Sequence, residues 1–212
     1  MKVITPYFVI ESEVNGENAL KLIERAGRTC YKSEDKANQA SADDFVRRII
    51  NNGHEAVIEH YSITVRIICD RGVTHEIVRH RLASYSQEST RYCNYAKDKF
   101  SNEVTFIEPC FWDVKTEDGR QKYETWKSAM EFAEKKYFEL IESGATPQEA
   151  RSVLPNSLKT ELVMTMNLRE WRVFFKLRTA SASHPQMREI AIPLLEEFKE
   201  LVPVVFDDIV PN

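Results

Sequence analysis

The sequence predicts an α+β fold, a single mixed domain over residues 1–212 with a few-stranded central sheet and flanking helices. Three observations lead there. Strand-like stretches are few beside five or six helical ones. No Ser/Gly linker, internal repeat or low-complexity tract divides the chain. With 42% hydrophobic and 29% charged residues, it can bury a real core and lies far from the composition of disordered chains.

Lys2 to Ile10 is rich in Val, Ile, Tyr and Phe and predicts a first strand. Ala19, Leu20, Ile23 and Ala26 then recur at helical spacing, with Gly27 as the stop. Ser41, Asp43 and Asp44 open a second helix that buries Phe45, Val46, Ile49 and Ile50 and ends at Asn52-Gly53. Tyr61 to Cys69 alternates with period two and is the best strand in the chain. A helix follows over Val73 to Arg81. Leu82 to Tyr95 shows neither period and reads as an ordered loop, a common carrier of function.

Val104 to Ile107 predicts a short strand and Lys115 to Gly119 a turn. From Gln121 to Ser143 an amphipathic helix aligns Tyr123, Trp126, Met130, Ala133, Tyr137, Leu140 and Ile141. Thr146-Pro147 opens a short helix through Arg151. Leu158 to Met166 is a strand, Leu168 to Thr179 a helix, and Gln186 to Leu201 the last helix, with Pro193 near its middle. So few strands for so many helices imply that burial is completed by subunit contacts.

The net charge of -4 argues against a general nucleic-acid coat. Cys30, Cys69, Cys93 and Cys110 form no C-x-x-C pair, so no zinc knuckle or dithiol motif is present and four reduced thiols are expected. Met1 to Ser12 has no apolar stretch of signal-peptide or membrane-spanning length, and a cytoplasmic protein without membrane partners is expected.

The chemistry concentrates elsewhere. Between Arg66 and Arg91 there are five arginines and no lysine, with Asp70, Glu76 and Glu88 the only acids. Such arginines suit forked contacts to phosphate or carboxylate. The densest part, Arg79-His80-Arg81-Leu82-Ala83-Ser84-Tyr85-Ser86-Gln87-Glu88-Ser89-Thr90-Arg91, has the composition of an anion receptor. Arg79 and Arg81 would lie about 200° apart on a helix. They would serve two anions, or one anion approached from a helix end. Ser84, Ser89 and Arg91 can donate charge-assisted hydrogen bonds to phosphate oxygens.

This segment fills every fixed position of R-H-R-x-x-S-x-x-x-x-S-x-R and resembles the signature of flavin-dependent thymidylate synthases. The resemblance extends to Gly53-His54-Glu55, Ala150-Arg151-Ser152-Val153-Leu154-Pro155, Asn167-Leu168-Arg169, Leu177-Arg178 and His184, and so to nearly the whole chain. It implies a homotetrameric enzyme of that family's fold. The enzyme would convert dUMP to dTMP, with 5,10-methylenetetrahydrofolate as carbon donor and FAD reduced by NADPH.

By the same resemblance, Arg79, His80 and Arg81 bind FAD, assisted by Gln87, Asn167, Arg169 and His184. Glu76, Arg79, Gln87, Glu88, Ser89, Thr90, Arg91, Arg151 and Arg178 hold the nucleotide. Arg178 matches the arginine that polarises the uracil ring and favours the ionised form of N3. His54 matches a histidine needed near the flavin. Three positions depart from the family pattern: Glu76 stands where many members have Gln, Gln87 where many have Glu, and Val173 in place of an Asn that touches flavin in some relatives.

Synthases of the cysteine-dependent kind activate uracil by adding a thiol to C6, yet residues 79–91 hold no cysteine. Pro109-Cys110 has the form of a nucleophilic Pro-Cys pair but lies at a strand end outside the receptor. Ser89 would need an adjacent base to act as a nucleophile, and phosphate binding accounts for it more simply. The six glycines are isolated, which excludes a Rossmann fingerprint and a P-loop, so side chains must hold any dinucleotide.

Two other classes compete. A metal hydrolase would use His54, Glu55, Glu59, His60, His75, Glu76 and His80. However, His75-Glu76-x-x-x-His80 is one residue longer than H-E-x-x-H and sets its imidazoles about 140° apart on a helix. No metal is expected. An RNA-binding module would rest on arginines interleaved with Tyr85, Tyr92 and Tyr95, against which the acidity of the rest of the chain weighs. His60 is expected in the core or a ladder, and Arg172 and Arg188 as surface charges.

Overall fold

The computed structural model describes every residue except Gln39, and all side chains apart from that of Lys99 as well. Among the described residues six strands form two small sheets, with seven α-helices around them. The expected first strand is two strands, β1 (Lys2–Ile4) and β2 (Tyr7–Ile10). Pro6 lies at the break, where a residue with no N–H cannot continue a ladder. β1 pairs in parallel with β5 (Thr105–Ile107), Val3 opposite Phe106. β2 is the first strand of a sheet ordered β2-β3-β6-β4, with β3 at Ser62–Asp70, β4 at Ala83–Gln87 and β6 at Lys159–Asn167.

β4 lies in the segment expected to be irregular. Its side chains alternate between half-buried Ala83, Tyr85 and Gln87 and exposed Ser84 and Ser86, a period two that small and polar residues conceal.

The helices are α1 (Gly16–Thr29), α2 (Ser41–Asn51), α3 (Arg71–Ile77), α4 (Glu117–Glu142), α5 (Pro147–Ala150), α6 (Leu168–Arg178) and α7 (Pro185–Leu201). Gly27 does not stop α1 but lies inside it. A Cβ there would stand 2.6 Å from Cζ of Phe45 on α2, so the missing side chain allows the two helices to touch. Gly53 does end its helix, with φ +72. α4 begins before the expected Gln121, because Thr116 accepts from the Gly119 N–H and Glu117 and Asp118 favour the first turn. α3 ends at Ile77, short of the expected Arg81, which frees residues 79–81 from helical geometry.

The chain divides into two compact units. The first comprises Met1–Tyr7, Ile67–Arg79 and Ser86–Leu162, the second Phe8–Arg66, His80–Tyr85 and Val163–Asn212. The first packs around Tyr95, Val104, Phe106, Met130, Tyr137 and Leu158. The second has an aromatic core in which Trp171, Phe175, Phe198 and Phe206 meet at ring-centroid distances of 4.7 to 5.7 Å. Trp171 Nε1 donates to the Ile63 carbonyl at 3.1 Å, fixing α6 to β3. No described helix is long and apolar enough to cross a membrane.

Candidate functional site

In the first unit the receptor segment continues past β4. Gln87 donates through Nε2 to Thr74 Oγ1 at 3.0 Å and Thr160 Oγ1 at 3.3 Å. Glu88 donates its backbone N–H to the Glu161 carbonyl, so the chain still follows β6 beyond the end of β4. Its carboxylate accepts from Lys159 Nζ at 2.9 Å and from Tyr95 Oη at 3.1 Å. Burial alone would lower the Lys159 pKa, but hydrogen bonds from its ammonium to Glu161 and Glu88 outweigh this and raise it. Gln87 and Glu88 are thus held by their own unit and pin the segment that follows.

That segment is a turn. Ser89 Oγ accepts from the Arg91 N–H at 3.3 Å, and the Ser89 carbonyl accepts from Tyr92 and Cys93. Thr90 is buried, and its hydroxyl accepts from Arg151 Nη1 at 3.2 Å, so the hydroxyl orients the arginine. Arg91 is exposed, its guanidinium 5.4 Å from the centre of the Tyr92 ring. Arg79 is exposed as well, one turn after half-buried Glu76, whose carbonyl accepts its N–H. Among the described residues neither Arg79 nor Arg91 has a carboxylate partner. Arg71 at the start of α3 has a buried Nη1 without a hydrogen-bond partner, a feature that residue order alone did not reveal.

In the second unit the middle of the Arg-His-Arg triplet turns inward. His80 is buried while Arg81 is exposed, the latter again without an acidic partner among the described residues. The His80 ring has Nδ1 3.2 Å from Glu170 Oε1 and accepts at Nε2 from Arg178 Nε at 3.1 Å, with Phe174 edge-on at 5.1 Å. Burial lowers the His80 pKa below its ordinary value, and the Arg178 charge adds to this against the hydrogen bond to Glu170. Tyr85 donates its hydroxyl to the His80 carbonyl at 2.7 Å. Burial, then the charge of Glu170, pushes that phenol up to about 12. Glu170 and Tyr85 were absent from the expected site.

Asn167 caps α6, its Oδ1 accepting from the Glu170 N–H at 2.9 Å. Arg169 is exposed and ion-paired with Glu59 at 2.6 Å. Val173 is exposed on the same helix, and His184 is the exposed residue that precedes α7. His54 follows Gly53 and lines a cleft of about 830 Å³ that also meets Tyr31, Lys36, Phe45 and Arg48. Its lining carries three cations, an aromatic floor and no carboxylate. Of its cations, Arg28 is already paired with buried Glu24 at 2.6 Å.

Some expectations are corrected. His60 is exposed rather than in the core. Arg172 is no surface charge: at 1% exposure it donates to both carboxylate oxygens of Asp208 and to the Val205 carbonyl and Glu55. Cys69 is buried, Cys93 is half-buried, Cys30 and Cys110 are exposed, and all four are free thiols. The described residues contain no cluster of three His, Cys, Asp or Glu side chains able to hold a metal ion.

Comparison with known proteins gives this arrangement its context. The profile of the thymidylate synthase complementing protein family matches residues 12–204. The flavin-dependent thymidylate synthase of Pyrococcus abyssi is 37% identical over 178 residues, 82% of this chain and 70% of the relative. That of Geobacter sulfurreducens is 36% identical over 194 residues, 88% and 80% of the two chains. Among solved structures, a UMP/dUMP methylase from Streptomyces cacaoi bound with 5-Br UMP superposes with a TM-score of 0.77, covering 98% of this chain and 95% of its own. It is 21% identical and bears on the fold alone. A profile match over most of the chain, with relatives above one-third identity, establishes that this chain belongs to the flavin-dependent thymidylate synthase family of nucleotide-biosynthetic enzymes.

Proposed function

We propose that this chain methylates dUMP to dTMP in the cytoplasm, taking the carbon from 5,10-methylenetetrahydrofolate and using FAD reduced by NADPH. Residues 1–212 act as one catalytic domain within a homotetramer. The observation that carries the reading is the state of Arg79, Arg81 and Arg91: all three are exposed and have no carboxylate partner among the described residues, in a chain of net charge -4. Ion pairing to Asp or Glu elsewhere occupies Arg66, Arg169 and Arg172. Guanidinium groups left open in an acidic protein suit anionic ligands.

The roles follow from that chemistry. Arg91 and Arg151, with Arg79 and the Ser89 hydroxyl, hold the nucleotide phosphate, while Gln87, Glu88 and Thr90 fix the backbone and orient Arg151. Glu76 completes the nucleotide contacts. Arg79 and Arg81, with Gln87, Asn167 and His184, hold FAD, whose reduced form supplies the electrons for the reaction; His80 supports them from its buried place between Glu170 and Arg178, and Arg169 joins by leaving its ion pair with Glu59. Arg178 sets its positive charge against the uracil ring and favours the N3 anion. His54 borders the flavin. The protein contributes position and charge, with no sulfur nucleophile.

The test is an absorbance spectrum of the purified protein, followed by tritium release from 5-labelled dUMP with folate donor and NADPH. A yellow protein that releases tritium only when both are present is expected. A colourless protein that neither takes up FAD nor binds dUMP in calorimetry would overturn the reading.

A further inference from the structure

Glu170, Phe174 and Arg178 are residues i, i+4 and i+8 of α6. They fall within about 80° of arc and about 12 Å of axis. His80 lies along that stripe and meets all three: Nδ1 to Glu170 at 3.2 Å, the ring edge to Phe174 at 5.1 Å, and Nε2 to Arg178 Nε at 3.1 Å. An arginine can only donate. Nε2 must therefore offer its lone pair, and the single proton of a neutral ring sits on Nδ1, where a carboxylate is ready to accept it. The Arg178 donor already requires that tautomer, and Glu170, as the acceptor at Nδ1, reinforces it and holds the ring in the orientation that presents Nε2 to Arg178.

We propose that Glu170 is a positioning residue for the reaction: through the His80 ring it fixes the Nε edge of Arg178, and so the direction in which that guanidinium meets the pyrimidine. The inference rests on the reading of Arg178 as the group acting on uracil. Its anchors are independent of any ligand. The Glu170 N–H is capped by Asn167, the His80 carbonyl is held by Tyr85, and Glu170, His80 and Arg178 are each less than one-tenth exposed. A carboxylate that sets a histidine tautomer so that the other nitrogen can serve a reacting group is a recurrent device of active sites and metal sites.

Wild type, Glu170→Leu and Glu170→Gln are compared as flavin-loaded enzymes, because a glutamine carbonyl can still accept from Nδ1–H. Glu170→Leu is expected to lower kcat roughly tenfold to a hundredfold, the scale of a misdirected group. KM for dUMP should stay within about twofold, as for an interaction used in the transition state. Glu170→Gln should recover most of the loss. Unchanged kcat in Glu170→Leu, or an equal loss in both variants, overturns the proposal.

Nitrogen-15 NMR of histidine-labelled wild-type holoenzyme gives an answer that does not depend on the variants folding. The His80 ring should carry its proton on Nδ1 at neutral pH, and a proton on Nε2 overturns the proposal. Failure of the functional reading would look different, since wild type itself would then make no dTMP.

Discussion

Arg178 donates through Nε to Nε2 of His80 at 3.1 Å, so the histidine is an acceptor and cannot be protonated there without breaking the contact. A protonated ring would set donor against donor and cation against cation. The burial that isolates this pair from water makes that opposition costly. The groups facing the ring are Glu170 and Arg178 from α6, with the Tyr85 phenol at its backbone carbonyl from β4.

A pH dependence of stability follows. The folded-state pKa of His80 is depressed below the ordinary 6.5. Above 6.5 both folded and unfolded chains leave the ring neutral, and it contributes no slope. As pH falls below 6.5 the unfolded chain takes up the proton first, and stability is lost down to the depressed folded value. Urea unfolding of wild type and His80→Gln between pH 8 and pH 5 should therefore converge at the acid end. Parallel curves over that range would show that His80 does not titrate as described.

Arg178→Ala is expected to lower turnover by about a hundredfold or more, the cost of losing a charge directed at a developing anion. It also strips the His80 Nε2 of its donor, a penalty of about 1–3 kcal/mol for an unsatisfied buried acceptor. The variant should nevertheless remain folded and keep most of its flavin absorbance. Wild-type tritium release from this variant would remove Arg178 from its role.

What was legible in the sequence follows a physical pattern. α1, α2, α4, α6 and α7 bury apolar stripes, so their periods stand out, whereas β4 alternates serine with Ala83, Tyr85 and Gln87 and has no hydrophobic signal. The arginine and serine segment proposed as an anion receptor stands out in the sequence because its residues are contiguous. Glu170 was not, since the His80 it binds is 90 residues away; its one trace is the i, i+4, i+8 spacing with Phe174 and Arg178. Arg172 reads as a helix-surface charge until Asp208, 36 residues on, is found beside it.

Arg172 makes a second test. Its hydrogen bonds hold the Asp208 carboxyl below the usual range against the opposing effect of burial. The stability this gives is present above the ordinary value of 3.8 and lost as pH falls through the depressed one. Asp208 is half exposed, which screens the pair, so Arg172→Ala is expected to cost about 2–4 kcal/mol rather than the full penalty of a sealed buried pair. Thermal unfolding near pH 7 reads this directly, and a loss below about 0.5 kcal/mol, the range of surface substitutions, would return Arg172 to the surface class.

Gly27→Ala sets two effects of opposite sign against each other. Inside α1 an alanine should gain about 0.5–1 kcal/mol over glycine from helix propensity. Its Cβ, however, would meet Phe45 at 2.6 and 2.8 Å and Val57 at 3.0 Å, closer than packed carbons approach. Phe45 is buried, with the guanidinium groups of Arg28 and Arg48 at 5.1 and 5.5 Å from its ring centre, so yielding means breaking these contacts and moving toward the cleft that it lines. Overpacking of about 1–3 kcal/mol therefore wins, and the variant should melt at lower temperature. If the clash is the cause, Gly27→Ala combined with Phe45→Leu will lose less than the two single variants together, because the shorter side chain vacates the space that the new methyl needs. Additive losses would instead place the cost in the backbone of α1.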